Sequence, residues 1–248
     1  MNSDNFLIPQ RKTNAMSGSD FITKINGLNK TDRADAILNE FMEGNIPNFL
    51  RKFKIITTGT ISFLVTSDYL SIGNDNDYIR MPMSPLMAQK ICDKYDCTLP
   101  TKRMVEIIHQ QAEIKLSPKP WGPPYDHTMD DTSRYLIHNN TINKQLVNLD
   151  KTKLISGHKK DVVITNKLYP NNLNKKVAIF GWINNGIPIQ GLNIHSHDYN
   201  YQDYSHGIRL VINDILLEER IVRIQDVFTD PIHHKLLSDE GIMKFNRY

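Results

Sequence analysis

The order in which hydrophobic periodicity changes along the 248 residues constrains this chain more than any other feature. Residues 1–20 are polar, with Pro9, Gly18 and scattered serines, and read as a mobile arm. A helical repeat follows: Ala34, Ile37, Leu38, Phe41 and Met42 recur at i, i+3, i+4, i+7 and i+8, with Asp32 placed to cap and Gly44 to stop the helix. From Lys54 the texture becomes β-like through Ile55 and Ile56, 60–66, 69–73 and 78–81. Helices return at Ser84 and Pro85 (Ala88, Ile91, Cys92, Tyr95), in a helix with Pro100 in its opening turn (Met104, Val105, Ile108, Ala112), and over 133–149. Beyond Lys153 the apolar runs are short, at 161–165, 177–182, 207–212 and 221–224, and read as strands. This order predicts an α+β fold, with a mainly antiparallel sheet in the C-terminal half and helices grouped in the N-terminal and middle part. One compact domain is expected over 21–248, and the Pro-rich stretch at 117–124 is its only candidate seam.

Bulk properties narrow the partners. A formal net charge of only +3, with the basic residues grouped in no more than short runs (51–54, Lys159 and Lys160, Lys175 and Lys176), does not make the clustered basic face that nucleic acid requires. No apolar run approaches the roughly 20 residues needed to span a bilayer, and the first twenty residues carry no apolar signal core. The expectation is a soluble, cytoplasmic protein that engages neither nucleic acid nor membrane. Cys92 and Cys97 match neither a zinc pattern nor a redox pair and read as free thiols. Abundant Asn, Ile, Lys and Tyr have AT-rich codons, which implies an AT-rich genome.

Candidate chemistry gathers in 157–209, which holds His158, His195, His197 and His206 together with Asp161, Asp198, Asp203 and Arg209. On an extended chain, His195 and His197 leave the same face. A carboxylate and another imidazole from a neighbouring strand, Asp161 and His158, would complete a catalytic divalent-metal site, such as one for zinc, with an open position for water. The combination of a His…Asp element with a His-x-His element resembles metallopeptidases of the lysostaphin type. His158 and Asp161 are one residue closer than the pair of that family, so the resemblance requires a turn or bulge at Lys159 and Lys160.

Ser205-His206-Gly207-Ile208-Arg209 resembles the Ser-His-Gly-Cys-x-Arg signature of L,D-transpeptidases. The cysteine is missing, and with it the thiolate nucleophile. Strand alternation places Asp203, Ser205, Gly207 and Arg209 on one face, and Tyr204, His206, Ile208, Leu210 and Ile212 on the other. His206 is then either a half-buried core histidine or a general acid–base, and Arg209 pairs with Asp203 or orients a substrate carboxylate. Tyr199, Tyr201 and Tyr204, near Asp198 and Asp203, would suit a sugar or peptide groove. No Gly-rich phosphate loop and no GxSxG elbow is present.

Across the last 170 residues or so, the pattern Gly157-His158-Lys159-Lys160-Asp161-Val162-Val163, Gly181-Trp182, then Asp203-Tyr204-Ser205-His206-Gly207-Ile208-Arg209-Leu210-Val211 resembles an uncharacterised family of bacteria and large viruses. That resemblance implies no activity. The residues point to a hydrolase acting on an amide or glycan polymer, metal-dependent if His158, Asp161, His195 and His197 meet. Its rival is a non-catalytic module that grips a peptide, glycan or protein with the same Tyr, His and Arg side chains.

Overall fold

The computed structural model describes residues 8–122, 127–169 and 175–248. Helices α1 (Gly18–Ile25) and α2 (Lys30–Met42) are followed by strands β1 (Lys54–Thr58), β2 (Ile61–Val65), β3 (Ser71–Gly73) and β4 (Tyr78–Arg80). The middle of the chain holds α3 (Pro85–Lys94), β5 (Cys97–Thr98), α4 (Lys102–Gln111), β6 (Ile114–Lys115) and α5 (Thr132–Gln145). Then come β7 (Ile155–Ser156), β8 (Lys160–Val162), β9 (Ile179–Asn184), β10 (Ile187–Asn193), β11 (His206–Gly207), β12 (Val211–Ile212), β13 (Asp214–Leu217) and β14 (Arg220–Arg223). Two short helices close the chain, α6 (Ile224–Thr229) and α7 (His234–Leu237). The class is α+β, as the periodicity predicts.

Local chemistry accounts for the helix starts. Ser84 Oγ accepts from Met87 N and Pro85 opens α3, where its missing N–H costs nothing. Thr101 rather than Pro100 sets the start of α4, through Met104 N to Thr101 Oγ1 at 3.1 Å. Helix α2 begins two residues before the expected cap: Asn29 accepts from Asp32 N at 3.0 Å, so Asp32 lies inside the first turn, where its charge still favours the helix dipole.

Two larger sheets carry the fold. One runs β14-β13-β2-β12-β5, with β1 also paired to β2; the other runs β10-β9-β8-β11. Pairings within them are antiparallel except β8 with β11, which is parallel. The run 207–212, expected as one strand, is divided between them. Its start lies beside β8 and its end beside β2 and β5, while Leu70 N reaches Ile208 O at 2.8 Å and Thr66 N reaches Leu210 O at 3.1 Å in between. This segment therefore fastens one sheet to the other. The β9–β10 hairpin turns on Asn185 and Gly186, both at positive φ (50° and 79°), as a tight two-residue connection demands.

The main hydrophobic cluster draws residues from Ile8 to Met243 and from both sheets. A smaller cluster of Val105, Val163, Leu168, Ala178, Phe180, Ile183 and Ile194 packs against the four-stranded sheet. Residues 8–20, expected within a mobile arm, are fastened to the body. Ile8 is buried, Arg51 Nη2 donates to Pro9 O at 2.6 Å, and Arg11 Nε donates to Asn45 Oδ1 at 2.9 Å. Residues 1–7, and Pro123 and Pro124 of the expected seam, lie outside the described residues. The described part of that seam is tied down by paired amides, Ser117 N to Gln145 Oε1 at 3.0 Å and Gln145 Nε2 to Ser117 O at 3.1 Å. Among the described residues no helix is long and apolar enough to cross a membrane.

Candidate functional site

Strand β8 sits between β9 and β11, and the register sets Gly181, Lys160 and His206 in one row across the three strands. Paired residues leave the same face of a sheet, so Lys160 and His206 project together, and Gly181 adds no side chain to the row. Trp182 follows at φ +49°, a conformation that bulky residues avoid. Its amide is drawn out of the β8–β9 register to Lys159 O at 2.9 Å, and Ile183 N reaches Gly157 O at 3.1 Å. This bulge breaks the strand alternation, and the Lys160 ammonium lies 4.0 Å from the centre of the Trp182 ring.

Behind the row lies a buried ionic network. Asp68, fully buried, accepts from Arg80 Nε at 2.9 Å and Nη2 at 2.7 Å, and Arg80 Nη1 is taken up by Asn139 and Asn143. His158 Nε2 comes to 3.2 Å from Asp68 Oδ1 but off the line of a hydrogen bond, so both ring nitrogens lack an aligned partner. Burial works against the Asp68 charge, and Arg80 and His158 more than offset it, holding the carboxyl far below its ordinary range. Tyr69 donates to Asp161 Oδ2 at 2.7 Å. Arg209 stacks over the Tyr69 ring at 4.5 Å, faces Asp161 at 3.8 Å, and donates to Thr66 O (2.7 Å) and Ile155 O (2.8 Å). Gly207 makes this packing possible: a Cβ there would lie 2.6 Å from the Tyr69 ring and 2.8 Å from Lys159 Cβ. Lys159, also buried, donates to Tyr204 O at 2.5 Å, and burial pushes its ammonium down to about 7.

In front of the network, a tight turn carries Asp203 and His206. His206 N donates to Asp203 O at 3.0 Å, and Asp203 Oδ1 accepts from Ser205 N (2.7 Å) and Ser205 Oγ (2.5 Å). Tyr201 Oη donates to the other carboxylate oxygen at 3.1 Å. The Tyr201 ring stands edge-on to His206 at 5.7 Å and stacks flat on His197 at 3.5 Å. The last two are half-buried, as is Lys160, while Asp203, Ser205 and His206 are buried beneath them. Both His206 nitrogens lack a hydrogen-bond partner. Burial pushes the imidazole down to about 4, against the pull of Asp203 and with a further push from Lys160, so it is neutral near pH 7. Burial also disfavours the Asp203 anion, but His206, Lys160 and Ser205 lower its carboxyl below the ordinary value.

The other residues singled out in the sequence disperse from this centre. His158 and Asp161 are core residues, whereas His195 is exposed and His197 forms the outer wall against Tyr201. The segment 195–197 is a bend rather than a strand, so same-face alternation does not govern it. Among the described residues no group of three or more His, Cys, Asp or Glu side chains is arranged to hold a metal ion. Arg209 is 1% exposed and faces Asp161 instead of pairing with Asp203. Tyr204 is a core hub, with His138, Trp121 and Trp182 around its ring and Trp121 N donating to its hydroxyl. Tyr199 is half-buried on the turn where its amide meets Lys175 O at 2.8 Å. Cys92 and Cys97 are free, and burial raises both thiols well above their ordinary range. Sequence reasoning missed Lys160 and Trp182; the glycines at 181 and 207 were the available signal, because each marks a close backbone approach. Comparisons with protein-family models, with curated proteins and with solved structures find no match.

Proposed function

We propose that the chain is a hydrolase of an amide or glycan polymer, with His206 as its acid–base group. The observation that carries this reading is the His206 imidazole itself: buried, neutral, without a partner on either nitrogen, and set beside Asp203 by a tight turn. A neutral imidazole accepts the proton of a water molecule as its oxygen attacks an amide carbonyl carbon, and returns that proton to the leaving nitrogen as the C–N bond breaks. Asp203 stabilises the imidazolium formed in between. The backbone N–H and hydroxyl of Ser205 both hold Oδ1 of its carboxylate, so it supplies this field from a fixed position even when Tyr201 moves. Arg209 in this reading is a positioning residue that locks the segment after His206 to Thr66 and Ile155.

His206 is 1% exposed, and in this reading the half-buried Tyr201 ring beside it moves aside to admit substrate. The same burial favours the rival reading, a binding module whose outer wall is the His197–Tyr201 stack. The deciding experiment measures release of amines and of reducing sugars from amide and glycan polymers by the wild type and by His206→Gln. The hydrolase reading expects turnover that falls about 100-fold or more in the variant, with the thermal midpoint retained. No turnover on any polymer, or equal rates in the two proteins, would leave the binding module in its place.

A further inference from the structure

We infer that Lys160 and Trp182 form a carboxylate-binding subsite beside His206, and hence that the polymer is a peptide presenting a free carboxylate. The inference deepens the proposed function and rests on its placement of the site at His206. Donors outnumber acceptors at this place. The Trp182 indole N–H is buried and unpartnered, although a tryptophan that deep usually finds an acceptor. Among the described residues the Lys160 ammonium makes no hydrogen bond or ion pair; its close contact is the Trp182 ring face at 4.0 Å. The nearby Asp203 carboxylate cannot serve both groups, since Ser205 takes two acceptor positions on Oδ1 and Tyr201 one on Oδ2, which leaves about one.

The backbone is bent to make this pair. Trp182 would leave the opposite face from the Lys160–His206 row in a regular strand, and only its left-handed conformation, next to Gly181 at φ +139°, brings its ring under the Lys160 amine. Strain of this kind in a bulky residue persists where the surrounding structure uses it. A cation and a buried N–H, both lacking acceptors, suit a two-oxygen anion better than a neutral sugar hydroxyl, which would bring a donor of its own. The row geometry then seats the carboxylate one strand spacing from His206, about 5 Å, so the bond presented to the imidazole lies close to a chain end or an acidic side chain.

The chain has two tryptophans, so in a Trp121→Phe background the indole fluorescence reports on Trp182 alone. N-acetyl-Ala-Ala and its C-terminal amide are titrated against this protein, with chitotriose as the glycan arm. The expected result is a saturable change in emission with the acid, and affinity for the amide weaker by about tenfold or more. Lys160→Met removes the preference, and Lys160→Arg, which keeps the charge, retains it; circular dichroism verifies that both are folded. Equal affinity for acid and amide, a preference surviving in Lys160→Met, or a response to chitotriose alone overturns the inference. Binding in His206→Gln separates the two ideas: if acid preference persists while neither protein hydrolyses any polymer, the hydrolase reading fails and the subsite stands.

Discussion

His206 donates its backbone N–H to the carbonyl of Asp203 at 3.0 Å, and this single turn buries carboxylate and imidazole within reach of each other's charge. The carboxylate is then satisfied by Ser205 and Tyr201 rather than by the ring. His206 is left unpartnered inside the protein and below its ordinary basicity. A buried imidazole without hydrogen bonds carries a cost in stability, which a chain can sustain where the free nitrogens are used.

Gly207→Ala tests the packing behind Asp203 and His206. The new methyl meets the Tyr69 ring at 2.6 Å and Lys159 Cβ at 2.8 Å, and neither can retreat without disturbing the Tyr69–Asp161 bond or the Lys159–Tyr204 bond. A loss of about 1–3 kcal/mol in urea unfolding is expected. A stability equal to the wild type would show that the Tyr69 ring is free to shift.

Arg209→Ala removes a buried cation from Asp161 and two donors from the carbonyls of Thr66 and Ile155. Its cost should approach that of breaking a buried ion pair, about 3–5 kcal/mol, with a clear fall in thermal midpoint. A variant that unfolds like the wild type but binds or turns over substrate poorly would return Arg209 to the role of a substrate ligand.

Stability should rise with pH on the acid side. Burial lowers His109, His158 and His206 to about 4 and also depresses His138 and His197, so between pH 4 and 6.5 the unfolded chain binds more protons than the folded one. This contribution is complete above pH 6.5 and is lost as pH falls through 4. Asp161, raised to about 6 by burial, acts in the opposite sense, favouring the fold below about pH 4 and losing that contribution by pH 6. Several depressed histidines against one raised carboxyl leave a net rise, measured as thermal midpoint from pH 4.5 to 6.5, and His206→Gln should make it shallower. An unchanged slope in the variant would mean that His206 is not desolvated.

The helices and the α+β class were legible because helix caps and apolar repeats are local properties: Ser84, Pro85 and the Ala88–Ile91–Cys92–Tyr95 stripe all act within one helix. The site was legible as a neighbourhood and not as an arrangement. Alternation set Asp203 and His206 on opposite faces, since it assumes a straight strand; the turn that joins them leaves β11 with only two residues. Trp182 escaped for the same reason, its face being decided by a positive φ at Trp182 itself and at Gly181. Arg209 looked like a ligand for substrate because nothing in the nearby sequence reveals the carbonyls of Thr66 and Ile155, which come from distant parts of the chain. The Asn185-Gly186 hairpin went unread, although Asn-Gly between two apolar runs is a strong local signal for such a turn.

The pH dependence of turnover tests the role of His206 most directly. A base lowered by burial to about 4 is already unprotonated at pH 5.5, so kcat/KM on an amide polymer should be level from pH 5.5 to 7 and fall only on approach to pH 4. An acid limb centred near 6.5, the ordinary imidazole value, in a protein still folded at that pH, would contradict the account and assign the chemistry to a solvent-exposed histidine.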